Sequence, residues 1–266
     1  MALKALCVGI NDYPIANADL RGCVNDAKAW ANTLNRHYGF ARRDIATLFD
    51  ADATKAAMVS GIKTLLAGAQ PGDVLVFTNS SHGTYVADSG AHDEGDHYDE
   101  AICPYDSRKH LLVDDEMREL LADIPKRVRL TVISDSCHSG SVTRLAPGLT
   151  PDQRVARFIN PKTLRRPVIA DIRNATPTPR DLPESQMTSL LVSGCRSDEY
   201  SYDAKFGRKF HGAMTYFALR ALAEANYQIT YTQLMIRLRQ LLDDARFDQH
   251  PQLEGPTSFK RRQVFS

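Results

Sequence analysis

A thiol and an imidazole stand at the ends of two apolar runs. Cys137, within Asp135-Ser136-Cys137-His138-Ser139, follows the run Val128 to Ile133, and His82, within Ser81-His82-Gly83, follows Val74 to Phe77. A free thiol has a pKa near 8.5, so at neutral pH it is only a few per cent thiolate and needs an imidazole to take its proton. The same imidazole can later protonate a leaving amine. The pair therefore points to nucleophilic acyl transfer by Cys137 with His82 as base and acid. His138 is the competing base, but as the immediate neighbour of Cys137 it points along the chain differently.

Two strands must carry this chemistry, and open α/β sheets gather reactive groups at strand ends. The short run Ala5 to Ile10 reads as a first strand before the turn residues Asn11-Asp12-Tyr13-Pro14. Ala27, Trp30, Ala31 and Leu34 share one face of a helix beginning near Asp26, and a second helix is expected over 53–68. Val74 to Phe77 is unbroken by polar residues, as suits a strand covered on both faces. Met117, Leu120, Leu121 and Ile124 define a helix behind Asp114 and Asp115, which Pro125 ends before the cysteine strand. Ser189 to Ser193 is a further strand, and Met214 to Leu222 and Leu234 to Leu242 are helices. The alternation of strand and helix predicts an α/β fold with a mostly parallel sheet. Between Arg144 and Met187 stand seven of the thirteen prolines and no periodic apolar face, which reads as a long linker or surface loop.

Composition sets the outer bounds. With 266 residues, 43% hydrophobic and 24% charged, the chain can bury a full core. A formal charge of +1 gives no electrostatic reason to expect nucleic acid or an anionic membrane as partner. No apolar stretch is long enough to span a bilayer, and no secretory leader is evident, so a cytoplasmic location is expected. The five cysteines are scattered without a Cys-x-x-Cys pair, which argues against a disulfide scaffold or zinc ribbon.

The blocks around these residues resemble the caspase superfamily of cysteine peptidases, in particular its metacaspase-like members. Leu20-Arg21-Gly22-Cys23-Val24-Asn25-Asp26-Ala27 is similar to the block after the first strand, Ser80 to Gly83 to the histidine block, and Asp135 to Gly140 to the cysteine block. Val192-Ser193-Gly194-Cys195-Arg196-Ser197 and Gly212-Ala213-Met214-Thr215 resemble the smaller C-terminal part. The resemblance implies a caspase-type three-layer α/β sandwich: a large part over 1–143 and a small part over 188–266, joined by the basic linker 144–187 into one domain. It also implies an oxyanion site made of the Gly83 and Cys137 amides, where Gly83 allows close approach. Metacaspases carry Gly before the catalytic histidine, whereas this chain has Ser81.

The same resemblance assigns Cys23, Asp26, Ser80 and Asp135 to the S1 pocket, and two carboxylates there would bind Arg or Lys. Peptide substrates with a basic P1 residue are the expected partners. The other reading of Asp26 is a helix cap. A rival pocket cation, Arg21, would instead select Asp at P1. Eight basic residues against four acidic ones in 144–187 make that stretch a candidate for autoprocessing, near Arg165-Arg166 or Arg173. Calcium ligands of the family map onto Asp99, Asp114 and Asp115, with the acidic run Asp93 to Glu100 nearby, but the last falls on Arg144. A guanidinium there can replace the ion, so no cofactor is required in this reading. Asp114 and Asp115 also suit a helix start. Metacaspases resemble monomers, and a monomer is expected. The remaining alternatives are a catalytically silent binding module and a thiol redox protein, the latter disfavoured because no resolving cysteine adjoins Cys137 in sequence.

Overall fold

The computed structural model describes residues 1–87, 98–122, 124–137, 154–164, 187–196 and 198–266. In chain order the elements are β1 (Leu3–Gly9), α1 (Cys23–His37), β2 (Ile45–Phe49), α2 (Lys55–Leu66), β3 (Val74–Ser80), β4 (Gly83–Ala87), β5 (Tyr98–Ile102), β6 (Leu112–Val113) and α3 (Asp114–Leu121). There follow β7 (Arg129–Asp135), β8 (Arg154–Ala156), β9 (Ser189–Ser193), β10 (Tyr202–Phe206), β11 (Lys209–Gly212), α4 (Ala213–Glu224), α5 (Tyr231–Asp244), β12 (Gln252–Glu254) and α6 (Thr257–Lys260). No helix among the described residues is long and apolar enough to cross a membrane.

Six strands form the central sheet in the order β12-β9-β7-β3-β1-β2, all parallel except β12. The period-two alternation of strand side chains divides the core in two. Leu6 and Val8 of β1 join Met58, Ile62 and Leu65 of α2 on one face, while Ala5 and Cys7 face Ala27, Trp30 and Leu34 of α1 on the other. Phe217 and Leu222 of α4 and Leu234, Leu238 and Leu242 of α5 complete that second layer. Both faces are covered, so β3 is buried at every residue and reads as a continuous apolar run at its start. The expected three-layer sandwich is thus present.

The register of the two central strands fixes the chemistry. Ser80 of β3 lies opposite Asp135 of β7, so the strands end level and both chains leave the sheet from the same edge. His82 and Cys137 each follow two residues later. Two small antiparallel sheets flank this edge, β4-β5-β6 and β11-β10-β8.

Two local expectations need correction. Helix α1 begins at Cys23, so Asp26 lies inside the first turn and does not cap it. The stretch 144–187 is not irregular throughout: Arg154–Ala156 pairs with β10, and Ile159 and Leu164 are buried in the core.

Candidate active site

His82 is held from three sides. Its ring Nε2 lies 2.7 Å from the Ala18 carbonyl, which makes that nitrogen the protonated one and leaves Nδ1 as the free base. Among the described residues Nδ1 has no hydrogen-bond partner. The Tyr13 hydroxyl accepts from the His82 amide (3.1 Å) and donates to the Cys103 carbonyl, and its ring packs 5.0 Å from the imidazole. Burial drives the His82 pKa down to about 4; the Ala18 carbonyl opposes this and the charge of Arg157 adds to it. The imidazole is therefore neutral at pH 7. Ser81 costs nothing in geometry, since its φ is not positive, and its hydroxyl is tied to Asn79 and to the His82 carbonyl.

Cys137 is fully buried, and its Sγ donates to the Ser201 carbonyl at 3.1 Å. Cys195, from the turn after β9, hydrogen-bonds Cys137. A cysteine does therefore adjoin the nucleophile position in space, although none does in sequence. That hydrogen bond, then burial, pushes the Cys195 thiol well above its ordinary value, and a protonated thiol is a poor attacker of a disulfide.

Beside this pair lies a buried ionic cluster. Arg157, with no exposed surface, donates from Nη2 to Asp26 Oδ2 (2.6 Å) and Asp203 Oδ1 (3.1 Å), and its Nη1 lies 3.3 Å from Asp135 Oδ2. Burial works against the guanidinium charge, but the carboxylates of Asp135, Asp26 and Asp203 oppose it, and its pKa is held well above the usual value. Cys23, its own thiol raised by burial, sits among these charges as a neutral wall. Ser80 is buried opposite Asp135, with no hydrogen bond to Arg157 among the described residues.

The carboxylates do not depend on Arg157 alone. Asp135 Oδ2 accepts from the Thr215 amide (3.0 Å) and hydroxyl (2.7 Å) at the start of α4, and its Oδ1 accepts from the Ser201 hydroxyl. Asp26 accepts from the Gly212 amide (2.9 Å) and contacts His211 Nδ1 (2.9 Å). Asp203 accepts from the Arg21 amide at 2.8 Å. Two of the three carboxylates thus meet the positive end of α4. A Cβ on Gly212 would strike both Asp135 and the Arg157 guanidinium, so only glycine leaves room for the cation there.

The Arg157 main chain is held as firmly. Its carbonyl accepts from the Gly83 amide (2.9 Å) and the Cys137 amide (3.2 Å), the two donors expected at the oxyanion position. Its own amide donates to the Ser201 carbonyl at 2.9 Å.

The structure brings Cys137, His82, Gly83, Cys23, Asp26 and Asp135 to one place. Arg21 is elsewhere: its side chain is exposed and stacks over Phe210 at 4.6 Å. Asp203, Ser201, Thr215 and Arg157 escaped assignment from sequence. For Asp203 the signal was a lone acid between Tyr202 and Ala204, shortly after the Val192 to Ser197 block.

The calcium candidates form a separate cluster. Asp99 is buried, and Asp114 and Asp115 open α3, where Arg118 of the same helix donates to both, at 2.6 Å to Asp115. Burial, opposed by Arg118, raises the Asp114 pKa to about 6. Among the described residues no three His, Cys, Asp or Glu side chains are arranged to hold a metal ion, and Arg118 stands where a cation would neutralise this pair. His138, Arg144, Arg165, Arg166, Arg173 and Asp93 to His97 lie outside the described residues.

A thiol and an imidazole at the level ends of two parallel strands, with paired amides and an acidic hole beside them, define a caspase-type cysteine peptidase. The family model "Metacaspase, peptidase C14 domain" matches residues 3–146. Metacaspase-1A of Aspergillus niger is 33% identical over 94% of this chain and 69% of its own length, and Metacaspase-1 of Meyerozyma guilliermondii is 31% identical over 95% and 69%. A crystal structure of a Geobacter sulfurreducens protein superposes with a TM-score of 0.76 at 26% identity, covering 100% of this chain and 99% of that one. Caspase-1 of Spodoptera frugiperda shares the fold, with a TM-score of 0.57 at 12% identity over 98% and 91% of the two chains. The chain belongs to the metacaspase family. It is a cysteine peptidase, and its substrates are proteins.

Proposed function

We propose that this peptidase hydrolyses bonds after Arg or Lys, using Cys137 as nucleophile and His82 as general base and acid. The observation that carries the specificity is the cluster of Asp26, Asp135 and Asp203 around one guanidinium. Three buried carboxylates repel one another and an incoming acid, whereas a cationic side chain relieves both their repulsion and their desolvation. Burial raises the Asp26 pKa and Arg157 and His211 oppose it, so a cation in the pocket favours the ionised carboxylate. Arg21, stacked on Phe210 at the surface, gives no support to cleavage after Asp.

In this reading His82 Nδ1 takes the Cys137 proton as Sγ attacks the P1 carbonyl carbon. The carbonyl oxygen becomes an oxyanion held by the Gly83 and Cys137 amides, whose present geometry on a ground-state carbonyl supports that role. The imidazolium then protonates the departing amine. Water, deprotonated by His82, releases the acid from the thioester and returns the thiol. Turnover of matched peptides differing only in Arg or Asp at P1 tests the specificity; faster cleavage of the Asp peptide would overturn it.

We also propose that activity needs no calcium, because Arg118 neutralises Asp114 and Asp115 from within α3. Self-processing after a basic residue of 144–187 is part of the same reading, since seven of its eight basic residues are not followed by proline.

A further inference from the structure

Of the described basic residues of 144–187, namely Arg154, Arg157 and Lys162, Arg157 fills the acidic pocket. We propose that residues 154–159 are the chain's own first substrate, cut in cis at the Arg157–Phe158 bond, and that they report the cleft's preferences on both sides of that bond. This rests on the basic specificity proposed above.

Every main-chain contact expected of a bound peptide is made. Arg154 to Ala156 pairs antiparallel with β10, Ala156 lying opposite Tyr202 and Arg154 opposite Ala204. This is strand addition to an existing sheet edge, the commonest way an extended peptide is held for cleavage. Past the bond, Phe158 bridges to Gly83 of β4, and the Ile159 amide donates to the Gly83 carbonyl at 3.0 Å. The segment therefore crosses the site from one small sheet to the other. Between the two pairings, the Arg157 side chain fills the acidic pocket and its carbonyl lies between the Gly83 and Cys137 amides. A structural arginine would need only the first of these; placing the carbonyl on the oxyanion donors has no use in an inert ion pair.

The neighbouring side chains are housed as well. Arg154, three residues before Arg157, stacks over Phe247 at 3.6 Å and donates to the Ala245 and Arg246 carbonyls at 3.3 and 3.0 Å. Those carbonyls close the C-terminal end of α5, where a cation is favoured. Val155 is exposed, so its position is open to any residue. Phe158 packs between Tyr85 and Tyr200, and Ile159 is buried. The preferred sequence is thus Arg-x-x-Arg before the bond and an aromatic after it.

Cleavage balances as peptide hydrolysis. The Arg157 carbonyl carbon bonds to Sγ as the C–N bond to Phe158 breaks; Phe158 leaves as an amine with the proton from His82, and one water converts the thioester to the Arg157 carboxylate and the Cys137 thiol. Until this happens the pocket is closed to other peptides. The thiol is meanwhile turned to the Ser201 carbonyl, so the uncleaved chain is a resting state.

The test is to incubate the purified full chain, identify new termini by intact mass and N-terminal sequencing, and follow turnover of Arg-Val-Ala-Arg and Ala-Val-Ala-Arg reporter peptides. Wild type is expected to gain an N-terminus at Phe158, and peptide turnover is expected to accelerate with that product. Cys137→Ala stays intact. Phe158→Pro keeps the pocket filled and the bond uncut, and is expected to show little peptide turnover. Arg157→Ala also lacks the Phe158 terminus, but its open pocket turns over peptide without a lag. The peptide with Arg at its first position is expected to be roughly five-fold faster in kcat/KM. Cleavage after Arg165 or Arg173 with Arg157–Phe158 intact, or full peptide turnover by uncut wild type, would overturn the inference while leaving the basic specificity standing. No turnover of either peptide by cleaved wild type or by folded Arg157→Ala would overturn the specificity itself.

Discussion

Two acidic clusters in this molecule are each answered by an arginine, and they are built on different plans. At the head of α3, Asp114 has Arg118 as its hydrogen-bond partner, a neighbour one turn along the same helix. In the pocket, Asp26, Asp135 and Asp203 are held by Gly212, Thr215, Ser201 and the Arg21 amide, and Arg157 arrives in addition. A surface pair of the first kind is local charge balance. The second is braced by donors other than the cation, as a binding pocket requires. The difference separates a cluster paired within its own helix from one whose carboxylates are also braced by fixed donors, and it underlies the two proposals made for them.

The largest effect tests whether the pocket carboxylates bind substrate. Asp135→Asn should lower kcat/KM for an Arg peptide roughly 10²–10³-fold, the range for truncating one member of a buried charge pair. Asp115→Asn should leave it within about two-fold. Comparable losses at the two sites would erase the distinction drawn here.

The second test concerns replaceability. Stripping one partner from a buried ion pair ordinarily costs about 3–5 kcal/mol. With so many fixed donors around the carboxylates, Arg157→Ala in a Cys137→Ala background should cost clearly less by urea unfolding. A full loss in that range would make Arg157 a structural keystone. Arg118→Ala, at a half-exposed pair, should cost no more than about 1 kcal/mol.

Thr215→Val removes one hydroxyl from Asp135 but keeps the amide. The account expects roughly a ten-fold loss in kcat/KM, the size of one hydrogen bond to a charged group, with the preference for Arg over Asp retained. Inversion of that preference would mean that other groups set specificity.

Two pH responses distinguish the sites further. His82, lowered to about 4 first by burial, is the working base only when neutral, so turnover should fall as pH drops through about 4 and be flat above it. An acid limb near 6.5 would place the base elsewhere. Asp114 is raised to about 6, above its unfolded value, so its contribution is complete below the unfolded value and is lost as pH rises through about 6. Asp114→Asn should therefore gain in Tm over wild type as pH rises from 4 to 7. The smallest expected effect is that of a chelator, which should leave activity unchanged.

Much of the site was legible in the sequence because its residues sit in short strings at strand ends. His82 and Cys137 follow apolar runs by five and four residues, and Asp26 and Asp135 lie in the same blocks as Cys23 and Cys137. The central sheet was legible for a related reason: strands covered on both faces leave unbroken apolar runs, as β3 does. What stayed hidden depends on distant pairings. Arg157 resembles seven other basic residues around it, and only its pairing to β10 and Gly83 reveals its burial. Asp203 joins the pocket through the β10–β11 hairpin, opposite Gly212. Ala18 orients the imidazole through a main-chain oxygen, which no residue type announces. The α1 boundary was misplaced although Cys23, four residues before Ala27 and seven before Trp30, continues the same buried face; the reading stopped at Asp26, a residue type that often caps helices.

The most direct test of the central claim is covalent labelling. Peptides ending in an electrophile, matched except for Arg or Asp at P1, are reacted with cleaved enzyme and the adduct is mapped by mass spectrometry. The account predicts rapid modification of Cys137 by the Arg peptide and little by the Asp peptide. Preferential labelling by the Asp peptide, or an adduct on Cys195 with Cys137 untouched, would contradict it.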